Sequence, residues 1–199
     1  VLVSALLALA LTSCTTIPSN VAIPTNHQQL LLELDNWSLR GRLNIRSNSG
    51  SETININWQQ TQADYDINLS GTLGLGAVHI IGGANGVIIE KAGEAPLRAQ
   101  DLESITTEML GYTFPASELL YWIRGVPAPD TEAVTTRNTD GLIATLSQQD
   151  ANGQYWELQY DRFREIESIF LPGRIQLEQA QYRLTFIISR WDIPEGNQG

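Results

Sequence analysis

The sequence predicts an α+β domain, with many antiparallel strands and a few short helices grouped over one face. Apolar and polar residues alternate with a period of two from Trp37 onward, and again from about Gly141 almost to the C-terminus. Short clusters of turn-forming residues separate the alternating runs. Between the two sets of strands, apolar residues fall at helical spacing in two stretches, each closed by a glycine.

The first fourteen residues, VLVSALLALALTSC, carry no charge and are too few to span a bilayer as a helix. They fit the apolar region of a secretory signal. No initiator Met or basic leader precedes them, which places the natural start of the chain upstream. LTSC resembles the bacterial lipobox, and Cys14 is the only cysteine in the chain. Lipidation of Cys14 accounts for both its position and its isolation in an exported protein. Thr15 stands where an Asp often marks retention in the inner membrane, so the resemblance favours the outer membrane. Residues 15–25 are rich in Thr, Ser, Asn and Pro without periodicity and read as a flexible tether. The folded domain is expected over residues 26–194, with a short tail at 195–199.

NHQQLLLELDNW, residues 26–37, places Leu30, Leu31 and Leu34 at helical spacing behind Asn26 as N-cap, and predicts a short amphipathic helix. WSLRGRLNIRS, TININWQQ and YDINLSG then alternate as strands, joined by SNSGSE and TQAD. GAVHIIGGANGVIIEKAG predicts two more strands around GGANG. Two helices are expected in the middle, begun near Asp101 and Ser117 and ended by Gly111 and Gly125. LIATLSQ, YWELQYDRF, IFLPGRIQLEQ and YRLTFIISRWDI return to strands, while the charged stretch around Glu165 and Glu167 reads as a solvated loop.

Composition excludes several function classes. Asp and Glu outnumber Lys and Arg 22 to 12, and the basic residues nowhere form a run, which argues against nucleic acid and against electrostatic docking on anionic lipid. His27 and His79 have no metal-sharing spacing, no GxSxG elbow occurs, and GTLGLG is followed by a strand where a phosphate loop needs a helix. No catalytic residue, metal or cofactor is therefore assigned. An antiparallel sheet that curves beneath helices can instead enclose an apolar space. Ile54, Ile56, Trp58, Leu69, Leu119, Trp122, Ile123, Leu184, Phe186 and Ile188 are the candidates to line it. Periodicity alone leaves open that such residues fill a solid core. An anchored esterase, with His79 as its strand-borne imidazole, and a purely structural envelope lipoprotein are the rival classes.

SGTLGLGAV, residues 70–78, puts Leu73 and Leu75 among glycines, where the chain turns at the surface. Exposed leucine gains nothing in water, whereas burial in a membrane interface is worth about 1.5–3 kcal/mol. The expected role is a membrane-facing tip.

The lipobox cysteine followed in order by LRGRLNI, WQQ, INLSGTLGLGAVHI, LLYWIRGVPAP, LPGRIQLE and YRLTFIISRW resembles the LolB family of outer-membrane lipoprotein receptors. The resemblance implies an unclosed antiparallel β half-barrel with a lid of short helices over an apolar cavity, similar to that of the periplasmic carrier LolA. It also implies a monomer facing the periplasm that takes the acyl chains of mature lipoproteins from LolA and releases them into outer-membrane lipid without ATP. The chain departs from the family pattern at Thr72, where Pro often precedes the loop leucine.

Overall fold

The computed structural model describes residues 23–48, 50–71, 77–104, 115–180 and 182–194. Cys14, Leu73, Leu75 and Gly111 lie outside this set.

The chain opens with α1 (His27–Leu32), followed by β1 (Asn36–Ser47), β2 (Gly50–Thr61), β3 (Asp64–Gly71), β4 (Ala77–Gly83), β5 (Gly86–Lys91) and the short β6 (Leu97–Ala99). A helical turn begins at residues 102–104, and α2 spans Ala116–Trp122. The second strand set comprises β7 (Ala133–Arg137), β8 (Ile143–Gln149), β9 (Tyr155–Asp161), β10 (Arg164–Ile166), β11 (Ile169–Leu171), β12 (Arg174–Gln179) and β13 (Tyr182–Asp192). Apart from the β10–β11 hairpin, the strands form one 11-stranded antiparallel sheet in the order β6-β5-β4-β3-β2-β1-β13-β12-β9-β8-β7. The edges β6 and β7 do not pair with each other, so the barrel is not closed. This is the half-barrel that the sequence resemblance implies.

Alternation explains which side chains face the core. Along β2, Ile54, Ile56, Trp58 and Gln60 are buried while the residues between them face out. Gly41 sits at a bulge, where the register of β1 against β13 shifts between Arg40 and Gly41. A Cβ there would collide with the Ile187 carbonyl oxygen, so the close approach of the β13 backbone at the bulge needs glycine.

Several elements differ from their sequence reading. The first helix covers His27–Leu32 only, shorter than the 26–37 stretch, while Trp37 opens the strand run as expected, in β1. Its end is set from outside: Arg124 Nη1 donates to the carbonyl oxygens of Leu31 and Leu34 at 2.9 and 2.6 Å, holding the exit chain against the core. The Asn26 side chain makes no capping bond. IFLPGRIQLEQ is two strands, because Pro172 and Gly173 interrupt it, and the carbonyls of both residues accept bonds from β13 (Trp191 Nε1 and Ile188 N, each at 2.9 Å). The charged stretch expected as a loop is the β10–β11 hairpin, whose turn residues Glu167 and Ser168 have φ of 51° and 67°. The second helix is followed, as read from sequence, by Gly125 with φ +81°.

Candidate functional site

The concave side of the sheet divides into a filled half and an empty half. Over β8, β9 and β12, α2 presses Trp122 onto Trp156 with ring centroids 6.1 Å apart. Trp122 Nε1 donates to Gln148 Oε1 at 2.8 Å, and the same oxygen accepts Ala128 N at 3.0 Å. Gln148 Nε2 returns bonds to Ala128 O and Thr131 O at 2.8 and 3.0 Å, which staples the VPAPDT segment to the sheet. Trp156 Nε1 in turn donates to buried Asp150 at 3.0 Å. Every polar atom in this group is paired, as a buried one must be.

Over β1 to β5 the concave face is not filled. A cavity of about 490 Å³ lies there, between the sheet and the helical segments at 102–104 and Ala116–Trp122. Ile54, Ile56, Trp58, Leu69, Leu119 and Phe186 line it, together with residues the sequence reading missed: Leu43, Tyr65, Ile67, Ile80, Ile89 and Leu102. The missed strand residues lie in the same alternating runs and were legible by period. Trp122, Ile123, Leu184 and Ile188 do not line the cavity and are buried in the packed core. The reason for α2 is its turn: Ala116, Ser117, Leu119 and Leu120 reach the cavity, while Trp122 and Ile123, further along, are directed past it. Two hollows of about 650 and 560 Å³ on the convex face are open, with side chains such as Asn55, Asn57, Gln59 and Asp66 in their walls. The inner cavity is the apolar, lidded one.

Polar groups gather at the mouth. Glu52, Asp101, Glu103 and Ser117 stand there, with no basic residue among the described lining residues. Asp101 caps the turn at 102–104 by accepting from Ser104 N at 2.7 Å and from the Ser104 hydroxyl, and these bonds hold its carboxyl below the usual range. Glu103 Oε1 accepts both Ser117 N and Ser117 Oγ at 2.7 Å, tying the first helical segment to the start of α2. Burial, and then the charges of Glu103 and Asp101, raise the pKa of Tyr65 at the wall.

Neither histidine reaches the cavity. His27 Nε2 accepts Phe170 N at 3.0 Å, and burial lowers its pKa. His79 points from the convex face to Asp66 and Glu90, at 3.0 and 3.4 Å. The imidazole an esterase would need is thus absent from the wall, and a structural protein with a filled core would have no such space. Among the described residues no group of three or more His, Cys, Asp or Glu could hold a metal ion.

The sequence pattern of a family described as outer membrane lipoprotein LolB matches residues 35–191, which takes in the whole main sheet almost to the end of β13. The chain belongs to the LolB family. It is 37% identical over 165 residues to the outer-membrane lipoprotein LolB of Pseudomonas aeruginosa, covering 83% of this chain and 78% of that one. The LolB of Cellvibrio japonicus is 38% identical over 172 residues (84% and 82% covered), and that of Pseudomonas syringae 34% over 199 residues (96% and 94%). The fold is shared with a LolA superfamily protein from Nitrosomonas europaea, at TM-score 0.54 and 10% identity, with 85% of this chain and 94% of that one covered. A lipoprotein-sorting protein domain from Vibrio parahaemolyticus, described as putative, matches at TM-score 0.52 and 7% identity (85% and 91% covered). As a LolB-family chain, this protein is an outer-membrane lipoprotein, and the WIRGVPAP segment noted in its sequence is the part that carries Trp122, Arg124 and Ala128 into the buried bonds described above.

Proposed function

We propose that the protein receives the acyl chains of mature lipoproteins from a periplasmic LolA carrier and releases them into the outer membrane without ATP. The observation that carries this reading is the lidded apolar cavity of about 490 Å³. A methylene is about the size of a water molecule, whose share of liquid volume is about 30 Å³, so a sixteen-carbon chain fills about 480 Å³. The cavity therefore accommodates about one such chain.

Each buried methylene contributes about 0.8 kcal/mol, so acyl chains do not cross water unshielded. With no nucleotide to drive it, the hand-over runs downhill, from a weaker cavity in the carrier through this one to the bilayer. A wall of aliphatic and aromatic side chains suits an intermediate affinity, because it holds chains without specific hydrogen bonds. The LolA-like fold supports the pairing, since donor and acceptor then offer the chains the same kind of enclosure. Cys14 carries the anchor, residues 15–25 the tether, and Leu73 and Leu75 the tip that meets lipid; the domain acts as a monomer.

The test mixes the protein with lipoprotein-loaded LolA in nucleotide-free buffer and then adds liposomes. Movement of the lipoprotein to the protein and on to lipid is expected. Retention on the carrier contradicts the reading. Leu73→Glu is expected to spare the first stage and impair the second.

A further inference from the structure

On the convex face, β1 carries Arg40, Arg42 and Arg46, all exposed and all even-numbered, so the strand period sets them on one side. The six steps along the strand from Arg40 to Arg46 span about 20 Å. Ion pairs among the described residues engage His79, Lys91, Arg162, Arg174, Arg183 and Arg190, and these three arginines take part in none of them. Their cross-strand neighbours supply no free carboxylate. On β2 they face Asn57, Asn55 and Ser51. On β13 they face Arg190, Ile187 and Arg183, the two arginines being held by Asp192 and Glu178. The row through Arg42 and Asn55 continues to Ser70 on β3 and Ala77 on β4. In a chain with 22 acidic and 12 basic residues, a stripe of unpaired guanidiniums bordered by amides and hydroxyls stands apart from the surrounding charge.

We propose that this stripe is a docking face for the phosphate headgroups of the bilayer to which the lipoprotein is anchored, and that it sets the orientation of the tethered domain. A guanidinium offers phosphate a two-pronged set of donors. Net charge argues against electrostatic capture from solution, because like charges repel at long range. A domain tethered to its membrane needs no long-range steering, and over a Debye length of about 8 Å only the local stripe counts. The same net charge slows the approach of a free acidic protein, which is why lipid is the assigned occupant. The inference rests on the family's membrane location and is independent of the acyl-transfer reading.

The lipidated protein is placed in phosphatidylethanolamine vesicles with and without phosphatidylglycerol, and in detergent micelles. It is then treated with phenylglyoxal, and modification is read at each arginine by mass spectrometry. Arg40, Arg42 and Arg46 are expected to react severalfold more slowly on the phosphatidylglycerol vesicles than in detergent, with exposed Arg162 unchanged. In R42Q/R46Q, whose substitutions touch no core residue, protection of Arg40 is expected to fall, since each cation at an anionic surface contributes about fivefold in partitioning. Equal reactivity in vesicles and detergent overturns the proposal. Protection that requires an added acidic protein, and not anionic lipid, overturns the lipid assignment. Acceptance of lipoprotein from the carrier in solution is unaffected by either result.

Discussion

Trp122 and Gln148 are joined by a 2.8 Å hydrogen bond in a fully buried part of the core, and that bond lies in the filled half of the half-barrel. The oxygen that receives it also holds Ala128 N, so one side chain fixes both α2 and the segment that follows it. The same helix carries Leu119 and Leu120 into the cavity wall on the β1 to β5 side.

Gln148→Leu removes the acceptor and strands the Trp122 and Ala128 N–H groups. Each such buried group costs about 1–3 kcal/mol. Urea denaturation is expected to show a loss of about 3 kcal/mol, with the slope unchanged. A loss under 1 kcal/mol would mean that the network does not hold the lid.

Leu69→Trp and Ile188→Trp separate the two halves. The first adds an indole to open space, so stability is expected to change by about 1 kcal/mol or less while the amount of fatty acid bound falls. The second forces the same group into a closed core, and a loss of about 3 kcal/mol is expected. Equal destabilisation of both variants in calorimetry would contradict the division.

Gly41→Ala tests the bulge. The added methyl meets backbone at Ile187, which has no rotamer to yield, and the central strand must shift. A loss of about 2 kcal/mol is expected in denaturant titration, and an unchanged midpoint would show that the bulge tolerates a side chain.

His79 predicts a pH effect. Its hydrogen bond to Asp66 raises its pKa above the ordinary 6.5 against the opposing effect of burial, with the Asp66 charge and the bond to Glu90 adding to the rise. The protonated form is thus favoured in the folded state. The stabilisation is fully present below pH 6.5 and is lost as pH rises through the raised folded value. The stability difference between the parent and His79→Asn should therefore shrink with rising pH across that window; a difference constant with pH would show that the pairs do not bind the proton.

The sheet was legible in the sequence because burial on one face writes a period of two, as in Ile54, Ile56 and Trp58. The division into filled and empty halves was not, since Trp122 and Leu119 are both apolar and differ only in where α2 points them. Gln148 carried no signal either: a polar residue at a core position is explained only by the N–H and C=O groups that meet it in space. The short extent of α1 depends on Arg124, about 90 residues away, whose bonds to Leu31 and Leu34 no local pattern encodes. The β10–β11 hairpin escaped notice because Glu167 and Ser168 occupy left-handed turn positions that glycine or asparagine usually marks.

An acyl chain is expected to occupy the space beneath α2 on the β1 to β5 side. A lipoprotein whose acyl chain ends in a photoreactive diazirine is transferred to the protein and irradiated, and the crosslinks are mapped by mass spectrometry. Crosslinks to Ile56, Ile67, Ile80, Ile89 or Leu119 are expected. Crosslinks confined to Trp156 and Leu177, or to the convex face, would contradict it.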